Sequence, residues 1–533
     1  MHGQTRPTKA VRLSHALVAV AVVVTLITLV GLPGRATYGA RTSGDEPYYL
    51  LTALSLAHDG DLDLADEFAD QAFRPFHEIP LDEQTTPVGP QARRLSPHDP
   101  LLAVLLAPAM AAGGWVAAKA VLALLAGLLA ALTTWVAVRR GGVGIPVAAT
   151  TIGLLGAAVP LAPFGTQVYP ELPAALLVIT AVAVGTGLAA TASRRALGWR
   201  LSAVAALVIA LPWLSVKYVP VAAALTAAVG WTNRRTLGWR PILLTGAALA
   251  VAGALYLVAH QVIYGGWTAY AAGDHFVGAG ELSVVGTDPD HLGRGRRLLG
   301  LRVDRRFGLG AWAPLWLLLP AAVGAGLRNL PHRAVLLAPL GVGWLTATFL
   351  ALTMHGWWVP GRQVVVVLPL AAIAVAALLD HDRRLLAVAI PAGLVGVSSW
   401  LWLAVEAMTG RRTLIVDFAD TAAPGYRTVA PLLPDGMTGG TRADMVLLLW
   451  ATLLLATAVW AHRRAGSPLT PRPSPPPPRR VPALVPAVAV IGTVIAVVAL
   501  RDVVDGAALR AGMASAAADL PGLVLALAAF GGA

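Results

Sequence analysis

Stretches of about 20 apolar residues recur along the chain, each long enough to cross the hydrocarbon core of a bilayer when wound as a helix. "LVAVAVVVTLITLV" and "LALLAGLLAALTTWVAV" carry no charge at all. Backbone placed in lipid must satisfy its own hydrogen bonds, so only helices or a closed barrel can be built from such runs. Barrel strands alternate polar and apolar residues, and these runs do not. The expected fold is therefore an all-α polytopic membrane protein with outer-face loops carrying short amphipathic helices. Composition agrees: 57% of the 533 residues are hydrophobic, 13% are charged, and the mean hydropathy is +0.69.

About 13 spans are expected: 12–33, 115–137, 143–160, 171–190, 201–217, 218–232, 241–262, 310–328, 333–353, 363–380, 385–407, 443–462 and 481–500. The run 99–111 is too short to cross and is read as interfacial or re-entrant. The first run exceeds the h-region of a signal peptide and lacks a small-x-small cleavage site, so it is read as a retained helix.

Basic clusters set the orientation. Arg6, Lys9 and Arg12 place the N-terminus in the cytoplasm. Arg139-Arg140, Arg194-Arg195, Arg234-Arg235, Arg328 with Arg333, Arg383-Arg384 and Arg463-Arg464 then fall on the same side, provided 201–232 is a hairpin of two short helices. This placement puts the long loops 34–98, 263–309 and 408–442 outside, with the short turns near 161–170, Lys217 and 354–362. Residues 1–407 form the expected catalytic membrane module, and 408–464 an outer loop and a further helix. A proline-rich cytoplasmic linker follows at 465–480, then a last span and weakly apolar tail at 481–533. The net charge of +12 is topological on this reading, since the arginines cluster at helix ends, and no nucleic-acid partner is expected. The absence of cysteine excludes disulfides, thiol nucleophiles and thiolate metal sites.

Several polar groups lie at the inferred outer boundary. Asp45 and Glu46, in "SGDEPYYL", suit a general base or a metal ligand; partial desolvation at the lipid boundary is expected to raise a carboxyl pKa there. The competing reading is a helix start, with acids at the N-terminus and proline in the first turn. Glu171, in "QVYPELPA", adds an acid on the same side and is a second acid/base or metal candidate. Lys217, in "LPWLSVKY", and Arg362, in "HGWWVPGRQ", are cations where the charge rule disfavours them. An ammonium at the boundary can meet a lipid phosphate, and phosphate is what a guanidinium fork fits best. His355, Trp357 and Trp358 share the turn with Arg362, where an aromatic belt would also explain the tryptophans. The six arginines of 294–306 are read as paired to Asp288, Asp290 and Asp304, or as a platform for anionic headgroups. The aspartates of "DGDLDLAD" fail the EF-hand pattern, with Leu64 at the glycine position and Asp70 at the bidentate Glu position, and are read as a solvated turn.

In order and sidedness, "SGDEPYYLLTALSLAHDGDLDL", "SPHDPLLAVLLAPAMAAGG", "QVYPELPA", "LPWLSVKY", "RRFGLGAWAPLWLL" and "HGWWVPGRQVVVVLPL" together resemble the GT-C class of membrane glycosyltransferases. That class includes protein mannosyltransferases, lipid A aminoarabinose transferases and actinobacterial arabinosyl- and mannosyltransferases. The resemblance runs from the N-terminus to about residue 380. It departs from many members in having no clear soluble outer domain.

The resemblance implies a polyprenyl-phosphate sugar as donor and an envelope glycan, lipid or protein hydroxyl as acceptor. It implies Asp45, with Glu46 beside it, as general base. Lys217 and Arg362, joined by His355, would hold the donor phosphate. Tyr48, Tyr169, Glu171, Trp357 and Trp358 are the expected substrate contacts. A divalent cation is left open, with Glu46 and Glu171 as its candidate ligands. The alternative function is a transporter or flippase of a lipid-linked or anionic substrate. Such a protein places polar groups and broken helices at the bilayer midplane, often in repeated halves. Here the polar groups collect at one face and no repeat is visible.

Overall fold

The apolar runs within residues 9–191 and 193–466, the part of the chain that the computed structural model describes, are built as helices. The first half contains α1 (Lys9–Leu29), α2 (Glu46–His58), α3 (Ala65–Ala69), α4 (Leu101–Arg139), α5 (Ile145–Gly156), α6 (Glu171–Gly185), α7 (Arg194–Leu214), α8 (Val219–Leu237) and α9 (Trp239–Tyr264). Three short helices follow, α10 (His291–Arg294), α11 (Arg297–Val303) and α12 (Leu309–Trp312). The rest comprises α13 (Leu319–Asn329), α14 (Arg333–Leu345), α15 (Leu368–His381), α16 (Leu386–Met408), α17 (Pro424–Val429) and α18 (Thr441–Arg464). The one sheet among the described residues pairs β1 (Pro87–Val88) antiparallel with β2 (Arg93–Arg94).

Nine helices among the described residues are long and apolar enough to cross a membrane, which makes the chain an all-α polytopic membrane protein. Four of the expected 13 are not among the nine: 143–160, 218–232 (which is α8), 310–328 and 481–500. The run 99–111 does stand apart from the span 115–137: α4 is two helical segments that meet at a kink, where Gly113 and Gly114 (φ +62°) both leave helical geometry. The expected span 143–160 contributes only the 12 residues of α5, which ends before Pro160 and Pro163. Around 310–328 the chain makes α12, a 3-10 turn at Pro314–Leu318 and the 11-residue α13. The expected span 481–500, the linker 465–480 beyond residue 466 and the tail to 533 lie outside the described residues.

The hairpin required by the charge rule is present as two helices, α7 and α8, separated by Ser215–Tyr218 with Lys217 in the turn. Burial ranks the spans. Within their most apolar windows the segment Arg362–His381, which contains α15, is 83% buried and the helix from Glu171 72% buried, against 6% for the helix beginning at Trp239 and 11% for α18. Leu243, Leu244, Val251, Leu255, Val258 and Val262 of α9 all stand exposed, as a lipid-facing helix requires. Gly127 lets α1 and α4 approach closely, since a Cβ there would strike Thr25 Oγ1 and Ala21 O.

The three long loops gather at one end of the bundle, because each is hydrogen-bonded to the others. Thr86 N donates to Ala272 O at 2.8 Å, joining the first loop to the second. Leu414 N donates to Arg35 O at 3.0 Å and Tyr38 Oη to Asp417 Oδ2 at 2.7 Å, joining the first to the third. Arg305 N donates to Pro434 O at 2.8 Å and closes the set.

Candidate functional site

Two glycines in the left-handed region shape the centre. Gly44 (φ +56°) immediately precedes Asp45, and Gly361 (φ +83°) immediately precedes Arg362. A Cβ on Gly44 would sit 2.8 Å from Tyr169 Oη, and one on Gly361 2.6 Å from Leu309 Cδ2, so both the conformation and the space call for glycine. The turn at Gly361 starts the 3-10 segment Arg362–Val367 and aims the Arg362 side chain inward, where it is only 9% exposed.

Arg362 joins the two acids. Its Nη2 donates to Asp45 Oδ2 at 2.7 Å and its Nε to Glu171 Oε1 at 2.8 Å. Glu171 Oε1 accepts a second charged hydrogen bond, from Lys217 Nζ at 2.6 Å. The guanidinium lies 4.0 Å over the Tyr169 ring and 5.2 Å from that of Trp358, so cation–π contacts add to the ion pairs. Tyr169 Oη donates to Ser43 O at 3.1 Å and ties this platform back to the loop bearing Asp45. Residues from four separate stretches thus meet: 43–45, 169–171, 217 and 358–362. Carboxylate and cation partners leave Arg362 Nη1 and further N–H groups on Lys217 without an acidic partner.

Asp45 occupies the N-cap position of α2, yet its side chain makes no capping hydrogen bond. It turns to Arg362 instead, so the helix-start reading explains its place in the chain and not its partner. The expected rise in its pKa is overturned as well. Burial pushes the carboxyl up, but the charges of Arg362 and His98 and the hydrogen bond from Arg362 outweigh it and leave the pKa at about 2. Sequence reasoning weighed burial and had no view of the guanidinium.

Glu46 faces away from this centre. Completely buried, it accepts from Ser43 N at 3.3 Å and Val168 N at 2.9 Å and lies 3.7 Å from Lys119 Nζ. It therefore clamps the loops before Asp45 and before Tyr169 together. A cation on Glu46 would lie against the Lys119 ammonium, and Glu171 Oε1 is taken by Lys217 and Arg362, which leaves the buried Glu171 Oε2 as the oxygen without a hydrogen-bond partner.

Solved structures of ArnT are similar to this chain. ArnT from Cupriavidus metallidurans bound to undecaprenyl phosphate is 15% identical over 84% of this chain and 76% of that one, with a TM-score of 0.46. The apo state of that protein is 16% identical over 86% and 78%, with a TM-score of 0.44. No protein-family model and no curated protein matches the chain. Likeness of this degree assigns no residue a role.

The other expected site residues divide. Tyr48 Oη donates to Asp82 O at 2.5 Å, on the same loop assembly as Asp45. Trp357 is 62% exposed at the edge of the turn. His355 is not brought to Arg362: its Nε2 lies 3.9 Å from Asp304 Oδ2, and its ring meets Phe307 edge-on at 5.0 Å.

The arginines of 294–306 do not pair with Asp288, Asp290 and Asp304 as expected. Arg294 donates to Phe349 O, and Arg297 to Ala351 O and Leu352 O, capping carbonyls left free where the helix after α14 unwinds, while Arg294 also donates to Val285 O. Arg296 pairs with Asp444, and Arg305 and Arg306 lie near Asp435, while Arg302 lies over the Trp344 ring at 4.7 Å.

Three groups went unremarked in the sequence. His98, in "SPHDP", stacks on Tyr49 at 4.7 Å with its Nε2 buried and without a hydrogen-bond partner. Burial lowers its pKa against the pull of Asp45. Asp99 accepts from Tyr256 Oη at 2.7 Å and Val216 N at 3.1 Å, and His260 Nε2 lies 2.9 Å from it. That buried network fixes the turn carrying Lys217. An aspartate between histidine and proline beside an apolar run was the available signal. Lys119 gave the same kind of signal as a lone cation within "GGWVAAKAVLALL".

Proposed function

We propose that the protein is a membrane glycosyltransferase. It transfers a sugar from a polyprenyl-phosphate donor to a hydroxyl acceptor on the outer face of the cytoplasmic membrane. The observation that carries this reading is the Asp45–Arg362–Glu171–Lys217 cluster, where an ionised acid lies beside two cations with unused donors. The motif resemblance to the GT-C class points the same way.

In the proposed reaction the acceptor oxygen attacks the anomeric carbon of the donor as the bond from that carbon to the phosphate oxygen breaks. The acceptor proton passes to Asp45, and the leaving polyprenyl phosphate keeps the bonding electrons. Direct displacement inverts the anomeric centre. Charge develops on the phosphate oxygens, where Arg362 and Lys217 supply fixed donors. Glu171 holds both cations in register. A carboxyl with a pKa near 2 is a weak base while it is paired with Arg362. A donor phosphate competes for that guanidinium, which loosens its hold on Asp45 and raises the basicity of the carboxylate as the substrate arrives.

The test is transfer from labelled polyprenyl-phosphate sugars in membranes containing the wild type, Asp45→Asn or Lys217→Ala. Transfer by the wild type and a loss of about 10²-fold or more in each variant is expected. No transfer from any mannose, arabinose or aminoarabinose donor, alongside flux of the lipid-linked sugar across vesicles, would instead support the transporter.

A further inference from the structure

The acid-rich turn after α2 takes no part in the cluster at Arg362, and its carboxylates fall into two sets. Asp61 and Asp63 serve the backbone, as a solvated turn would require. Asp61 Oδ1 accepts from Asp63 N at 2.9 Å and Ser55 Oγ at 3.1 Å, and Asp63 Oδ1 from Arg94 N at 2.7 Å. Asp59, Asp66 and Glu67 do something else: one carboxylate oxygen of each lies within 4.8 Å of those of the other two. The arginines of the loop go elsewhere: Arg35 and Arg41 to Glu78, Arg94 to Glu83, Arg74 to Gln71 and the Glu78 carbonyl, and Arg93 to the Ile263 carbonyl. Glu67 is only 6% exposed, and its buried Oε2 has no hydrogen-bond partner. Three acids brought this close, with no ion pair to a lysine or arginine among the described residues and one of them buried with an unsatisfied oxygen, lack a counter-charge.

We infer that Asp59, Asp66 and Glu67 bind one hard divalent cation, Ca²⁺ in preference to Mg²⁺. The donor set is all oxygen, which selects hard ions. Three carboxylates converging on one point suit the flexible, oxygen-rich shell of Ca²⁺ better than Mg²⁺, which keeps several waters and is held by one or two carboxylates. Asp59 and Asp66 are exposed, so water can complete the shell on their side. The C-terminal end of α2, where Asp59 is the C-cap, adds the negative pole of the helix. The arrangement is not an EF-hand, since its ligands skip the Asp61 and Asp63 positions. The bound ion ties the end of α2 to α3. From there the chain runs to Phe76 and His77, which Thr42 contacts at 2.9 and 3.1 Å, three residues before Asp45. This inference is independent of the proposed transferase activity.

The experiment is isothermal titration of CaCl₂ and MgCl₂ into the full chain in detergent after chelator treatment, with thermal unfolding in parallel. Wild type is expected to bind a single Ca²⁺ more tightly than Mg²⁺ and to unfold at a higher temperature with millimolar Ca²⁺. Glu67→Gln and the pair Asp59→Asn with Asp66→Asn should each weaken Ca²⁺ about tenfold or more and remove the thermal shift. Asp61→Asn, in the turn set, should retain binding. Helical circular dichroism of each variant guards against misfolding. Absence of Ca²⁺ heat and thermal shift in wild type overturns the inference, and so does unchanged affinity in both ligand variants.

Discussion

Arg362 is the residue on which the site depends, because one buried guanidinium satisfies carboxylates from two distant segments. Removing it leaves Asp45 without its cation and Glu171 with only Lys217. Arg362→Met is therefore expected to destabilise the protein by about 3–5 kcal/mol. Adding Asp45→Asn removes one of the stranded charges and should recover part of that loss; thermal unfolding in detergent measures both.

Acid gives a second test at this scale. The folded-state pKa of Asp45 lies at about 2, below its ordinary 3.8, so its pairing adds stability that is full above about pH 4 and is lost as pH falls through about 2. The carboxyl is 33% exposed, and solvent screens the effect. Between pH 4 and 2 wild type should lose more stability than Asp45→Asn, and equal losses would contradict the pairing. Lys217 and Arg362 were legible in the sequence because cations on that side run against the charge rule, and Asp45 and Glu171 because they are acids placed on the same side. Their mutual contacts were not, since pairing between residues as far apart as 45 and 362 is a property of the packed bundle. The direction of the Asp45 shift was lost with them.

At the scale of elements, the site is aimed by breaks rather than by helices. Gly44 and Gly361 turn the chain directly before Asp45 and Arg362, and Ser215–Tyr218 interrupts α7–α8 at Lys217. Gly44→Ala places a Cβ 2.8 Å from Tyr169 Oη at a φ costing about 1–2 kcal/mol for an L residue. Under the proposed activity this substitution should reduce transfer more than it reduces the melting temperature, because strain there moves Asp45; unchanged transfer would detach Asp45 from the reaction. The α7–α8 hairpin was readable from arginines at both flanks. So was the break within α4, since the paired glycines Gly113 and Gly114 read locally as a stop and both leave helical geometry.

For the whole molecule, the arrangement sorts polar from apolar surface. Wrapped spans such as α15 form the centre, α9 and α18 present apolar faces, and the three long loops close over one end. Apolar periodicity made the class of fold legible. Burial order was hidden, since a lipid-facing helix and a buried one share the same composition. The most direct measurement is single-turnover transfer from a labelled polyprenyl-phosphate sugar by purified wild type and Asp45→Asn, with donor binding measured alongside. The account predicts that Asp45→Asn still binds the donor and transfers it about 10²–10⁴-fold more slowly. Transfer by Asp45→Asn at the wild-type rate, with donor binding intact, would contradict it.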